Sequence, residues 1–156
     1  DEKSDLPSKG EEGNLLEAAR EALDNPDVAV RVQIVRKLRK EKSEEAIALL
    51  YTFLNDDSKL VISSALNSLA YIGKDGPLED KVYGILLEKA KDKDFYERGQ
   101  SLIIAAMFNN DDRTLPVISD FISEDDENEI GKRYAVKALA VISKPECVDF
   151  LKMIMD

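Results

Sequence analysis

A chain of 156 residues with 44% apolar side chains is about one domain's worth and long enough to bury a core. Its 32 acidic against 22 basic residues give a formal charge of −10, and it has no histidine. That balance disfavours duplex DNA and anionic lipid, whose binding is driven by clustered Lys and Arg, and removes the commonest metal ligand and the usual neutral-pH general base. The single cysteine, Cys147, excludes an internal disulfide and a multi-cysteine zinc site.

Residues 1–13, DEKSDLPSKGEEG, hold Leu6 as their only large apolar side chain among charges, Pro7 and two glycines. Such a stretch does not offset the entropy of ordering, so a disordered acidic leader is expected, with the folded domain over 14–156. Because the chain opens with Asp1 and not methionine, an upstream segment is expected to have been removed. The compartment, cytoplasmic or exported, stays open. From Asn14 onward apolar residues recur at three and four positions, cut by short clusters of Asp, Asn, Gly and Pro, and nothing alternates with period two for long enough to suggest a sheet. The chain is expected to be all-α. Its longest apolar run, Leu102 to Phe108, is far short of the ~18–20 residues that span a bilayer, so a soluble protein without a membrane partner is expected.

In chain order, the first helix is expected over Leu15 to Leu23, followed by a helical segment from Asp27 to Lys40. Ser43 with Glu44 and Glu45 then opens a helix reaching Leu54. The next segment runs from Ser58, and Gly73, Gly76 and Pro77 close it and open Leu78 to Ala90. A segment from Asp94 and a helix over Asp112 to Ile122 follow; Pro116 should bend or shorten the latter. The last segment starts at Asn128, and Ser143-Lys144-Pro145-Glu146 combines a capping box with an early proline to open Glu146 to Met155. Nine helices are expected.

Four of these segments superimpose without gaps: DVAVRVQIVRKLRK from Asp27, SKLVISSALNSLAYIG from Ser58, DFYERGQSLIIAAMFN from Asp94 and NEIGKRYAVKALAVIS from Asn128. With the eighth place as anchor (Ile34, Ala65, Ser101, Ala135), the repeat spacings are 31, 36 and 34 residues. One place further stand Val35, Leu66, Leu102 and Val136, and four places further Leu38, Leu69, Ala105 and Leu139, all on one helical face. Three places before the anchor stand Arg31, Ile62, Arg98 and Lys132. A basic residue recurring there is expected to bridge to the acidic turn of a neighbouring unit.

An acidic turn followed by Val-Arg and a leucine seven places on, as in Asp27-Val28-Ala29-Val30-Arg31 through Leu38, resembles the HEAT and HEAT-like (PBS lyase type) repeats. The resemblance covers about residues 14–156, with Ile62 replacing the basic residue and Glu97 and Gly131 replacing the preceding valine. It implies an armadillo-like α-solenoid of about four and a half helix pairs, used as a scaffold for protein binding, with enzymes in the minority. Among the enzymatic relatives, iron-holding hydroxylases use His-Glu motifs that this chain lacks. DNA glycosylases need a basic, aromatic-lined groove, which a chain at −10 without tryptophan fits poorly. An enzyme of the bilin-lyase or DNA-glycosylase kind remains as an alternative to a binding module. A structural spacer with a polar concave face is a third.

No phosphate loop, nucleophile elbow or carboxylate dyad is present, and catalytic residues, cofactors and metals are expected to be none. The acidic clusters Asp56-Asp57, Asp92 with Asp94, Asp111-Asp112 and Glu124 to Glu127 lack calcium-loop spacing and are expected to cap helix starts. Cys147, beside Val148, Phe150 and Leu151, is expected to be a small buried apolar residue.

At 100° per residue, the face opposite the anchors carries Ala29, Gln33, Arg36 and Lys40; Leu60, Ser64, Asn67 and Tyr71; Tyr96, Gln100, Ile103 and Met107; and Ile130, Tyr134, Lys137 and Val141. The resemblance places these helices on the concave side. The stripe runs from basic to apolar-aromatic, which suggests a peptide or protein partner with acidic residues at Arg36, Lys37 and Lys40 and apolar ones at Tyr71, Tyr96, Ile103, Met107 and Tyr134, near Lys137. The cations of the first segment, Arg31, Arg36, Lys37, Arg39, Lys40 and Lys42, leave a weak nucleic-acid reading as an alternative. The last helix, apolar at most positions from Cys147 to Met155, is expected to pack against another copy or to end a trimmed chain, because a terminal unit otherwise needs a polar outer face.

Overall fold

The computed structural model describes residues 9–108, 111–124 and 129–155. Among them are nine α-helices and no strand: α1 (Lys9–Ala22), α2 (Val28–Leu38), α3 (Glu44–Phe53), α4 (Lys59–Gly73), α5 (Glu79–Lys91), α6 (Arg98–Ala106), α7 (Asp111–Ser123), α8 (Ile130–Ile142) and α9 (Cys147–Met155). No helix among the described residues is long and apolar enough to cross a membrane. The chain divides into two compact units, Asp1–Ile72 and Gly73–Asp156.

In the first unit, α1 packs on α2 and α3, and α2 packs on α3. The starts of these helices follow from single side chains. Asp27 Oδ1 accepts a hydrogen bond from the Ala29 amide at 2.8 Å, and Ser43 Oγ accepts one from the Ala46 amide at 3.2 Å. The three-and-four spacing then turns Val35 and Leu38 of α2, Ile47, Leu50 and Phe53 of α3, and Val61, Ala65, Leu66 and Leu69 of α4 into one buried set. Each large member contributes about 1.5–3 kcal/mol by leaving water. α4 is tied to α2 by a buried hydroxyl: Ser68 Oγ donates to the Val35 carbonyl at 2.9 Å.

In the second unit, successive helices pack together, and so do alternate ones: α5 with α7, α7 with α9, and α6 with α8. Ala105, Ala135 and Ala138 are fully or nearly fully buried, small residues that let α6 and α8 approach closely. Val82, Leu86, Leu102, Ile118, Phe121 and Leu139 complete the core. Two buried polar contacts lock it. Ser101 Oγ on α6 donates to the Leu86 carbonyl on α5 at 2.7 Å, and the Tyr83 hydroxyl on α5 shares a 2.8 Å hydrogen bond with Thr114 Oγ1 on α7.

Local expectations differ from the structure at several points. α1 begins at Lys9, so its opening turns take up residues assigned to the leader; residues 1–8 lie outside the described residues. α7 continues through Pro116 for its full length. Ser143 does not cap α9. It takes the left-handed conformation (φ 51°) at the end of α8, its amide donates to the Leu139 carbonyl at 2.9 Å, and its hydroxyl donates to the Ala140 carbonyl. The left-handed position after α4 is likewise filled by Asp75 (φ 56°) and by no glycine; the Asp75 amide donates to Glu79 Oε2 at 3.0 Å. Asp94 precedes α6: Asp92 Oδ1 accepts its amide at 3.0 Å, and the helix starts at Arg98.

Candidate functional site

The recurring basic residue at the start of the repeated helices makes the same bridge in each unit. Arg31 at the start of α2 donates from Nε to Asp56 Oδ2 at 2.8 Å and from Nη2 to Asp56 Oδ1 at 3.0 Å and Asp57 Oδ1 at 2.7 Å, while Nη1 donates to the Asn25 carbonyl at 2.6 Å. The connector before α2 and the connector after α3 are thereby held on one guanidinium. Arg98 at the start of α6 donates to Glu124 Oε2 at 2.9 Å and Oε1 at 2.6 Å, and to the Ala90 carbonyl at 3.3 Å. Its guanidinium also lies over the Phe121 ring, 4.1 Å from the centroid. Lys132 departs from this pattern and pairs with Glu129 within its own helix start at 3.3 Å. Ile62, the apolar member, is buried.

The Arg31–Asp56 pair is well shielded, with side chains 8% and 7% exposed. Burial by itself pushes the Asp56 carboxyl up, but the Arg31 hydrogen bond, the Ser58 amide and the Arg31 charge outweigh it and hold the group below the usual carboxylate range. The Asp56 hydrogen bond in turn raises Arg31 above an already high guanidinium value. Asp56 is thus a structural anchor. Among the described residues no three metal-ligating side chains converge, and Asp125 to Glu127 of the last acidic cluster lie outside those residues.

The face opposite the anchors is largely solvent-facing in each unit. In the first, Ala29, Gln33, Arg36, Lys37, Lys40, Leu60, Asn67 and Tyr71 are exposed, while Ser64 is buried. In the second, Tyr96, Met107, Ile130, Lys137 and Val141 are exposed, and Gln100, Ile103 and Tyr134 are half-buried. The aromatic and methionine members stand well out of the surface: Tyr71 is 56%, Tyr96 73% and Met107 43% exposed. Tyr134 is held down because its ring lies on Gly99 of α6. A Cβ at that glycine would stand 2.3 Å from the ring carbons, so the approach requires a residue without a side chain. Lys137 lies over the same ring at 5.6 Å.

Arg36, Lys37 and Lys40 share the wall of an open groove of about 960 Å³ with Val28, Ala29, Val32 and Leu60. Arg39, on the same helix end, lies over the Tyr71 ring at 5.3 Å and so brings the aromatic of α4 beside the cations of α2. Sequence periodicity left out Val28 and Val32, which flank the stripe, and the Arg39–Tyr71 contact. The signal for that contact was the adjacent place that Arg39 and Tyr71 hold in consecutive repeats. In the second unit a smaller cavity of about 520 Å³ surrounds Arg98, Phe121 and Glu124. Those groups are engaged with one another, which makes that cavity the outside of the Arg98 bridge.

Compared with known proteins, the chain matches no protein-family model and no curated sequence.

Proposed function

We propose that this protein is a non-catalytic protein-interaction module, an α-solenoid of HEAT-like helix pairs whose second helices present the binding face to a peptide or protein partner. The observation that carries this reading is the placement of large exposed apolar side chains, Leu60, Tyr71, Tyr96, Met107, Ile130 and Val141, on the repeated helices α4, α6 and α8 and the residues that flank them. Monomeric proteins scatter exposed apolar residues singly, whereas recognition surfaces collect aromatic and methionine anchors within a polar surround. The packing of alternate helices in the second unit and the Arg31 and Arg98 bridges, one in each unit, support the repeat stacking on which the reading depends.

Site-specific photo-crosslinking tests it. A benzophenone amino acid placed at Tyr71, Tyr96 or Met107 is expected to trap a discrete partner from the native lysate, whereas the same group at exposed positions of the first helices, Ala48 and Glu88, traps none. Equal trapping at both sets, or none at either, overturns the proposal.

A second reading concerns self-association through α9, on which Val148, Leu151, Met153 and Met155 are exposed. Sedimentation at rising concentration is expected to show a dimer, and a strict monomer at ~100 μM removes it.

A further inference from the structure

Several basic side chains among the described residues are neutralised where they stand. Arg20 pairs with Glu17 and Glu45, Arg31 with Asp56 and Asp57, Arg98 with Glu124, Arg113 with Asp80, and Lys152 with Asp149. The end of α2 gathers cations that are not. Arg36, Lys37, Arg39 and Lys40 fall within five residues, all exposed, and among the described residues no carboxylate pairs with any of them. Cations at a helix C-terminus are favoured by the helix dipole, which accounts for their sign at that end. It does not account for the groove beside them. The wall formed by Val28, Ala29, Val32 and Leu60 is aliphatic, and Leu60, at 66% exposure, has no apolar cover. At the far end the groove closes on Asp27, whose carboxylate is taken by the Ala29 amide.

We propose that the α2 groove receives an acidic segment of a partner protein, with aliphatic or aromatic side chains seated on Val28, Val32 and Leu60 and carboxylates meeting Arg36, Lys37, Arg39 and Lys40. The assignment rests on the interaction-module reading and names its partner's chemistry. Charge complementarity chooses the occupant. Four such cations in a chain of −10 attract carboxylates locally while the rest of the surface repels them, so only a segment that also buries apolar side chains in the groove gains enough to stay. The groove volume of about 960 Å³ lies at the top of the roughly 300–1,000 Å³ range of small-molecule sites and suits several residues of peptide. A nucleic-acid strand needs a basic track along its whole length with aromatic faces for its bases. Here the cations occupy one end, and apart from Gln33 and Asp27 the remainder is aliphatic. The polarity of the groove also sets direction: carboxylates of the segment lie toward Lys40 and its apolar residues toward Val28.

The test is a display selection of random peptides of about sixteen residues on the immobilised full chain. Individual selected peptides and an oligothymidylate of similar length are then measured by fluorescence anisotropy against the wild type, an Arg36→Glu/Lys40→Glu variant and a Leu60→Glu variant. Enrichment of peptides carrying both carboxylates and large apolar residues is expected, with binding weakened about tenfold or more by each variant and by raised salt. Both variants replace exposed residues, and unchanged circular dichroism and melting confirm that they fold. Failure to enrich, enrichment without acidic bias, indifference to both variants, or tighter binding of the oligothymidylate overturns the assignment. If crosslinks form at Tyr96 or Met107 while the selection fails, the module reading stands and the α2 groove assignment falls; if crosslinking also fails, both fall.

Discussion

Arg31 and Asp56, twenty-five residues apart, meet through two hydrogen bonds of 2.8 and 3.0 Å on a shielded surface, and Arg98 and Glu124, twenty-six apart, meet through two of 2.9 and 2.6 Å. The near-equal separation means that the same place in the repeat reaches the same connector in each unit. A two-pronged guanidinium–carboxylate contact fixes orientation as well as distance, so these bridges hold the connector after α3 against the start of α2 and the end of α7 against the start of α6.

The Asp56 carboxyl, held below the ordinary range, binds a proton more weakly in the folded chain than in the unfolded one. Its contribution is therefore complete above the unfolded carboxylate value of about 4 and is lost as pH falls through the lower folded value. Asp56→Asn removes that dependence. The variant is expected to be about 1.5–3 kcal/mol less stable at pH 7, the worth of hydrogen bonds to a charged group, with the gap closing as pH falls through the lowered folded value. Urea unfolding followed by circular dichroism at a series of pH values measures both. A gap that stays constant to the lowest pH contradicts the role given to Asp56.

Arg98 and Lys132 hold the same repeat place with different surroundings. Arg98→Ala loses the Glu124 contact, the Ala90 carbonyl contact and the stack on Phe121, and is expected to cost about 2 kcal/mol. Lys132→Ala loses an exposed pair one turn away and should stay within about 0.5 kcal/mol of the wild type. Equal losses in denaturant unfolding would show that the bridge is not what distinguishes the two positions.

The helices were legible because their signal is periodic burial, and every segment with three-and-four spacing became a helix among the described residues. The burial of Val35, Leu66 and Leu102 and the exposure of Arg36, Tyr71 and Met107 followed from the same 100° arithmetic. What escaped was chemistry without a period. Ser143 looked like an N-cap because serine and Glu146 stand at capping-box spacing, yet its backbone closes α8, a choice between two neighbouring helix ends that composition does not make. Ser68, Ser101, Tyr83 and Thr114 carry buried hydrogen bonds between helices, which depend on where the neighbouring carbonyl or hydroxyl falls. The α2 groove was half legible: its cations are a run in the sequence, whereas its aliphatic wall is assembled from two helices and from places beside the stripe.

Gly99 is required by the ring of Tyr134 and not by backbone freedom, since no glycine among the described residues has positive φ. Gly99→Ala places a methyl group where the ring stands and is expected to cost about 1–3 kcal/mol, the usual penalty of overpacking. Combining it with Tyr134→Ala, which opens the space, should recover much of that loss. A double-mutant cycle in urea measures the coupling, and additive losses would mean that the two residues do not compete for the same volume.

Val136 occupies the place at which Val35, Leu66 and Leu102 are fully buried, yet it is 39% exposed. In the three earlier copies that place is covered; in the fourth it is open, and α9 beside α8 exposes Val148, Leu151 and Met153 as well. An apolar face of this kind gains by meeting another, at roughly 25 cal/mol per Å² of apolar area removed from water. Replacing Val136 and Met153 together by lysine sets like charges against each other in any symmetric pairing of the two faces. Because both side chains are exposed in the single chain, the variant should keep its unfolding free energy within about 0.5 kcal/mol per site. Its sedimentation coefficient should become independent of concentration, where that of the wild type rises. A wild type and variant that sediment alike at every concentration would assign this face no role in self-association.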